Sequence, residues 1–485
     1  MDLKWVIEGE QNPQEATALA AALSVPRVIA EILMRRGVGD KEGALKFFNP
    51  SLDHLYDPFL LKDLSAAVER LRRAVLGDQE ILIYGDYDVD GITAVSFLYL
   101  LLKDLGARVT YYIPDRQSEG YGLSPAGIQV AKDRNVDLIV TVDCGITGHQ
   151  EIDAANAAGI EVIVTDHHEP ALTLPKSVAV VDPKRRDCEY PFKQLAGVGV
   201  AYKLAQGLLQ RMGIDQSILE QFIELVAIGT AADIVPLIDE NRIFVKAGID
   251  ALNNSENLGI KALLRAAGLL GREIGTGQIV FIIAPRINAV GRMGDAQRAV
   301  KLLTTQSAAE ADEIADILER ENQHRKNVDE EAFHEAIAQA EQLFEQCAAH
   351  SIVLHKEGWH TGVIGIVASR VVEKYYRPTI LISTEDGVGK GSARSIPGFD
   401  LYEALKQCED LFIGFGGHKY AAGLTIPEEN IDAFRQRFEK IAAENLTPDR
   451  LVPELSIEAE IRLSVIDDRF LNLLKRFAPF GPQNM

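Results

Sequence analysis

The spacing of hydrophobic positions changes as the chain is followed from its N-terminus. In ATALAAALSV and RVIAEILMRR apolar side chains recur with helical period, which predicts a helical cap over residues 1–50. From ILIYGDYDVDG onward the pattern becomes one of short β-branched runs: ILIY (81–84), VTYYI (109–113), LIVTV (138–142) and VIVT (162–165). Helical stretches such as TAVSFLYLLLKDLG separate them. Strands alternating with helices are the mark of a parallel sheet, so residues 51–236 are expected to form an α/β domain.

Beyond residue 236 the pattern turns helical. LTTQSAAEADEIADILERENQHRKNVDEEAFHEAIAQAEQLFEQ is charge-rich and almost free of breakers, and it predicts a long helix bridging two lobes within a helical linker region over 237–345. The histidines it carries, His324 and His334, are expected on solvated faces. Strands and helices then alternate again with glycine clusters, placing a second, smaller α/β domain over 346–448. The tail 449–485, which contains PELSIEAEIRLSVI and ends at PFGPQNM, is too short for a domain of its own.

Composition narrows the class. With 485 residues and 47% hydrophobic content the chain can bury several cores. Cys144, Cys188, Cys347 and Cys408 are scattered without CxxC spacing, which argues against a disulfide framework or a thiolate zinc site and for a reducing compartment. No leader-like segment and no long apolar run is present, so the expectation is a cytoplasmic protein without a membrane partner. A net charge of −21 would repel nucleic acid on average, and a polyanionic substrate would need a local basic channel. PKRRD (183–187), RMGDAQR (292–298) and SRVVEKYYRP (369–378) are local basic clusters, each of which taken alone reads first as a solvated surface.

Candidate chemistry gathers where a parallel sheet binds ligands, beyond the carboxyl ends of its strands. ILIY is followed by Asp86, Asp88 and Asp90, LIVTV by Asp143, and VIVT by Asp166, His167 and His168. A solvated turn tolerates such residues, but it needs one aspartate. Three carboxylates in DYDVDG repel one another unless cations neutralise them, and Gly91 is expected to let the backbone turn there. Carboxylates suit Mg²⁺ or Mn²⁺, and an added imidazole from His167 shifts the preference toward Mn²⁺. Asp233, after the apolar run ELVAIGTAA, is the candidate for the further acid that a pair of ions requires, with a helix-end cap as its other reading.

DYDVDG, VDCG, DHH and ADIVP, in that order, resemble the four acidic motifs of the DHH phosphoesterase superfamily. PRINAVGRM (285–293), GSARS (391–395) and GGHKYAAG (416–423) resemble the accessory DHHA1 domain that accompanies it. YIPDRQSEGYGLS (112–124) and WHTGVIGIVASR (359–370) are similar to the RecJ branch, the single-strand-specific 5′→3′ DNA exonucleases.

The resemblance implies two ions, Mn²⁺ or Mg²⁺. One would be held by Asp88 and Asp143, the other by Asp90, Asp143, His167 and Asp233, with Asp143 bridging. It gives His168 a role at the leaving group, makes Asp166 a support for His167, and places Asp86 among the catalytic acids. Arg116, Ser392 and Arg394 resemble a pocket for a terminal 5′-phosphate; Arg286 and Arg292 would neutralise a threaded strand; Gly416, Gly417 and His418 are further substrate-binding candidates. Tyr121 and Tyr87 are candidate stacking surfaces, Tyr87 being equally suited to the core.

Where some DHH proteins carry a histidine four residues before the first ligand aspartate, this chain has Tyr84, which leaves the first ion with fewer protein ligands. By the same resemblance the tail 449–485 reads as the incomplete start of an oligonucleotide-binding barrel, and the implied role is recombinational and mismatch repair alongside a helicase and a single-strand-binding protein. A phosphodiesterase of short oligonucleotides or cyclic dinucleotides and a non-catalytic replication scaffold are the competing readings. The scaffold would show lost ligands, and none is lost here.

Overall fold

The computed structural model describes residues 3–485 except 10, 117, 294 and 347, so Cys347 and Gly294 lie outside the described residues. Contrary to the all-helical expectation, the N-terminus opens with a strand, β1 (Lys4–Ile7), which pairs in parallel with Glu454–Ile457. Three helices follow: α1 (Pro13–Leu23), α2 (Arg27–Arg35) and α3 (Lys41–Phe48). Leu19, Ile29, Leu33 and Phe47 from these helices share a core with Phe470 and Phe477 of the tail. Arg242 ties the two together, its guanidinium 3.9 Å from the Phe47 ring centroid and donating to the carbonyls of Arg476, Phe477 and Ala478.

The main sheet has strand order β3-β2-β4-β5-β6 and is parallel throughout. Its strands are β2 (Ile81–Gly85), β3 (Val109–Tyr112), β4 (Leu138–Val142), β5 (Glu161–Thr165) and β6 (Ala179–Val181), the last not read from the sequence. Because strand side chains alternate between faces, Ile81, Ile83, Leu138 and Val140 enter one core while Leu82, Tyr84, Ile139 and Val164 enter another. Burial on both faces is why these strands are apolar runs rather than alternating ones. One face is covered by α4 (Leu64–Leu76), α5 (Val89–Asp104) and α8 (Gly197–Met212), the other by α6 (Pro125–Asp133) and α7 (His149–Ala157). The chain leaves β2 for β3 on one side and returns to β4 on the other, so the switch point lies at the carboxyl ends of β2 and β4.

The residues after 236 are not a separate linker. Leu237, Phe244, Leu263, Ile287 and Leu318 belong to the same core as the sheet, and Glu10–Asn322 forms one compact unit with Ile461–Met485. A 39-residue helix, Ala308–Gln346, carries the chain from this unit into the other, which comprises Gln323–Glu460 and the segment ending at Gly9. His324 and His334 are exposed on it.

The second unit is built on a mixed sheet of β7 (Ile352–Glu357), β8 (Thr379–Glu385), β9 (Val388–Arg394), β10 (Gly414–Gly417) and β11 (Ala421–Pro427), in the order β10-β11-β9-β8-β7. Residues 449–485 divide between the two units. Glu454–Ile457 joins the second unit through β1, and the helix Asp468–Lys475 packs with the N-terminal helices of the first.

Candidate metal centre

The register of the sheet brings the acidic residues into one row. Gly85 lies opposite Val142 and Val142 opposite Thr165, so the residues that follow, Asp86, Asp143 and Asp166, leave neighbouring strands side by side. Asp88 caps α5, accepting from the Gly91 amide at 3.1 Å, and Asp90 follows in the first helical turn. Gly91 is helical rather than a turn residue. It lacks a Cβ because the backbone of Asp86 would lie 2.6 Å from one. Asp90 is held by the N-terminus of α8, whose Gly197 and Val198 amides donate to its two oxygens at 2.6 and 2.9 Å. Asp233 caps the C-terminus of α9 (Ile223–Ala232), so the capping position and the inward carboxylate are the same residue. Asp143 itself has φ +59°, a left-handed conformation that aspartate tolerates better than most residues.

Three groups of donor atoms, each within 4.8 Å of one another, result: Asp86 with Asp88 and Asp143, Asp90 with His167 and Asp233, and Asp143 with His167 and His168. Nε2 of His167 is 3.1 Å from Asp143 Oδ1, 3.6 Å from Asp233 Oδ2 and 4.0 Å from Asp90 Oδ2. Asp86 Oδ1, Asp143 Oδ1, Asp233 Oδ2 and both ring nitrogens of His167 are buried without a hydrogen-bond partner. Buried polar atoms are normally satisfied, so this cluster of unpaired carboxylate oxygens and an imidazole fits divalent cations.

Electrostatics point the same way. Burial, then repulsion from Asp88, pushes the Asp90 carboxyl up to about 7. Asp86, Asp143 and Asp233 are raised as well, by burial and then by neighbouring aspartates. Burial and the adjacent His168 lower His167 to about 3, which leaves it as the neutral imidazole that ligates metal. Burial opposes the ionisation of Asp166, but its hydrogen bond with His168 and the charge of that histidine carry it below the usual carboxylate range.

Several residues stand differently from the sequence expectation. Asp86 sits with Asp88 and Asp143 as a third carboxylate of that group, where Tyr84 had left a ligand missing. Asp166 supports the other histidine: its Oδ1 accepts from Nδ1 of the His168 ring at 2.8 Å and from the backbone amides of His167 and His168 at 2.7 and 3.1 Å. Its Oδ2 accepts from the Ile146 amide at 2.9 Å. Arg286 is not open to a strand, being 7% exposed, paired with Glu319 at 2.5 Å and donating to the Ile282 carbonyl at 2.6 Å.

Arg116 and Arg292 do line a common cavity of about 390 Å³ with Tyr112 and Glu119, and the Arg116 guanidinium lies 5.1 Å from the ring centroid of half-buried Tyr87. In the second unit Arg394 donates to Ser392 Oγ at 3.1 Å, and the helix Ile364–Tyr375 begins against both, since a Cβ on Gly365 would lie 2.9 Å from each. Gly416 and Gly417 pair with Gly423 and Ala422, and the His418 amide closes that hairpin on the Ala421 carbonyl at 2.7 Å. Two residues escaped the sequence reading. Gly197 faces Asp143, whose Oδ1 would lie 2.6 Å from a Cβ there. Asp182, fully buried after β6 and pushed to about 7 by burial, stands beside Asp166; the signal for it was another acid at the end of an apolar run, AVV.

The sequence matches the DHH family, N-terminal domain over residues 80–230 and the DHHA1 domain over residues 330–444. The fold and the acidic centre thus define a DHH protein with its accessory domain. Among curated relatives, the single-stranded-DNA-specific exonuclease RecJ of Bacillus subtilis is 39% identical over 99% of this chain, and that of Dickeya dadantii 36% identical over 94% of this chain and 82% of its own length. The crystal structure of RecJ in complex with Mn²⁺ from Thermus thermophilus superposes with a TM-score of 0.86 at 33% identity, covering 99% of this chain and 68% of that one. The chain belongs to the RecJ family. It spans 60% of the length of the Bacillus subtilis relative. Among the described residues no single helix is long and apolar enough to cross a membrane.

Proposed function

We propose that the protein is a divalent-metal-dependent exonuclease that degrades single-stranded DNA from its 5′ end to mononucleotides. The observation that carries this reading is Asp143, whose carboxylate groups both with Asp86 and Asp88 and with His167 and His168, so that one side chain could serve two ions. Asp86, Asp88 and Asp143 would hold one ion, and Asp90, Asp143, His167 and Asp233 the other, with Mn²⁺ or Mg²⁺ suited to this oxygen-rich donor set. When bound, such a pair stabilises the charge of an in-line displacement at phosphorus.

The remaining residues divide the work. His168, its side chain 39% exposed and its Nδ1 bonded to Asp166, can deliver a proton to the leaving oxygen from its other nitrogen. Arg116 and Arg292 suit the phosphates of the strand, since each guanidinium offers a planar fork. By the resemblance, Ser392 and Arg394, with Arg116, are the candidates for a terminal 5′-phosphate, which would set polarity, and Gly416, Gly417 and His418 are further substrate-binding candidates. A helicase that supplies single strands and a single-strand-binding protein are the partners this activity calls for, in recombinational and mismatch repair.

The test is a single strand labelled at its 3′ end, incubated with Mn²⁺ beside the corresponding duplex and an Asp143→Ala control. A metal-dependent ladder shortening from the 5′ end, absent from duplex and control, is expected. Hydrolysis of dinucleotides with an intact long strand would instead indicate a short-oligonucleotide phosphodiesterase.

A further inference from the structure

The loop between β3 and α6 carries Tyr121, a candidate stacking surface by sequence whose hydroxyl has no part in the chemistry above. Tyr121 lies between Gly120 and Gly122, whose φ values of +84° and +82° fall where glycine is favoured, so the chain can turn sharply on either side of it. The side chain is 48% exposed, yet its hydroxyl points inward. It donates to the backbone carbonyl of Asp143 at 3.1 Å and lies 3.1 Å from Nδ1 and 3.4 Å from Nε2 of the His168 ring.

The loop is anchored from both sides. Glu119 accepts from the Tyr112 hydroxyl at 2.9 Å, from the Asp115 amide at 2.8 Å and from the Ser124 hydroxyl. Tyr84, fully buried, donates to the Gly122 carbonyl at 3.1 Å and accepts from the Ser124 amide at 3.1 Å. A ring serving only as a stacking surface needs neither this anchoring nor an inward hydroxyl. With its proton committed to Asp143, the hydroxyl oxygen can share the His168 Nδ1–H that Asp166 also accepts, a three-centre contact that leaves Nε2 free for the leaving group.

We propose that Tyr121 is a positioning residue that acts through His168, the phenol and the Asp166 carboxylate together fixing the imidazole against the metal centre. The inference rests on the phosphodiester-cleaving role proposed for this same centre. It also gives Tyr84 a purpose: where some DHH proteins place a ligand histidine, this chain keeps a phenol that ties down the loop presenting Tyr121.

The test compares Tyr121→Phe, which removes only the hydroxyl, with wild type on single-stranded DNA in Mn²⁺. The expected result is a fall in kcat of about three- to tenfold, the loss of one hydrogen bond, with KM and Mn²⁺ binding unchanged. In a His168→Ala background the same substitution should have no further effect. Independently of turnover, ¹⁵N-histidine NMR of the Mg²⁺-loaded full chain should show the His168 ring nitrogens, assigned with His168→Ala, moving in Tyr121→Phe while other histidines stay in place.

Wild-type kcat in Tyr121→Phe with unshifted His168 signals would overturn the proposal, as would a loss that persists undiminished in the His168→Ala background. An inert wild type whose His168 signals still move would remove the proposed nuclease activity and leave the positioning contact standing.

Discussion

His167 Nε2 stands 3.1 Å from Asp143 Oδ1, and neither atom takes part in a hydrogen bond. With His167 held neutral, no positive charge on it offsets the carboxylates of a buried site that also contains Asp90 and Asp233. Buried carboxylates this close repel one another, and a bound cation would offset that repulsion, with measurable consequences.

The first is that the metal-free protein carries its own repulsion. In EDTA, Asp143→Asn should melt a few degrees above wild type, because one buried charge is removed and asparagine tolerates the left-handed φ at this position. Mn²⁺ at about a hundred times its Kd should stabilise wild type by about 2.7 kcal/mol and the variant by much less. A lower melting temperature for Asp143→Asn in EDTA would mean that the carboxylate is an anchor rather than a ligand.

Gly197 supplies the second. A methyl group at this position would meet Asp143 Oδ1 at 2.6 Å and press on the amide that holds Asp90. Gly197→Ala should therefore cut turnover by about tenfold or more, weaken metal binding and lower the melting temperature, since the methyl group overpacks a buried site. Unaltered Mn²⁺ affinity, measured by calorimetry, would show that the neighbouring elements accommodate the methyl group.

Arginines near the centre should separate by role. Replacing Arg286, buried against half-exposed Glu319, with alanine is expected to destabilise the fold by about 1–3 kcal/mol, since the carboxylate and the Ile282 carbonyl lose their partner. Arg116→Ala should leave stability unchanged and raise KM for the strand. Denaturation and kinetics of the two variants decide the matter, and a reversal of the two phenotypes would contradict it.

A pH effect follows from Glu224, buried in the first turn of α9 and raised to about 7, first by desolvation. The unfolded chain ionises this group near pH ~4.3, so between there and about 7 the folded state binds the extra proton and stability falls as pH rises. Glu224→Gln, which stays uncharged, should be more stable than wild type at pH 8 by roughly 1–3 kcal/mol and equal to it near pH 4. Parallel stability curves for the two proteins across that range would contradict this assignment.

Much of the centre was legible because chemistry and pattern coincide. β2, β4 and β5 are apolar runs that each end in acids, and a parallel sheet delivers such ends to one edge. β6 was not legible, since three residues carry too little pattern, and Asp182 was lost with it. Asp166 was assigned to the wrong imidazole because adjacent histidines point in different directions, which spacing cannot tell. The burial of Arg286 depends on Glu319, thirty-three positions away on another helix. The strand β1 and the helix Asp468–Lys475 were missed for the same kind of reason: each is completed by a segment more than four hundred residues distant.

The central claim, that Asp143 joins two ions into one centre, is tested most directly by counting Mn²⁺. Calorimetry and electron paramagnetic resonance of the full chain should give two ions per molecule with a spin-coupled signal, and Asp143→Asn should abolish the coupling and weaken both sites. A single uncoupled ion in wild type, or a coupled pair that survives Asp143→Asn, would contradict the account.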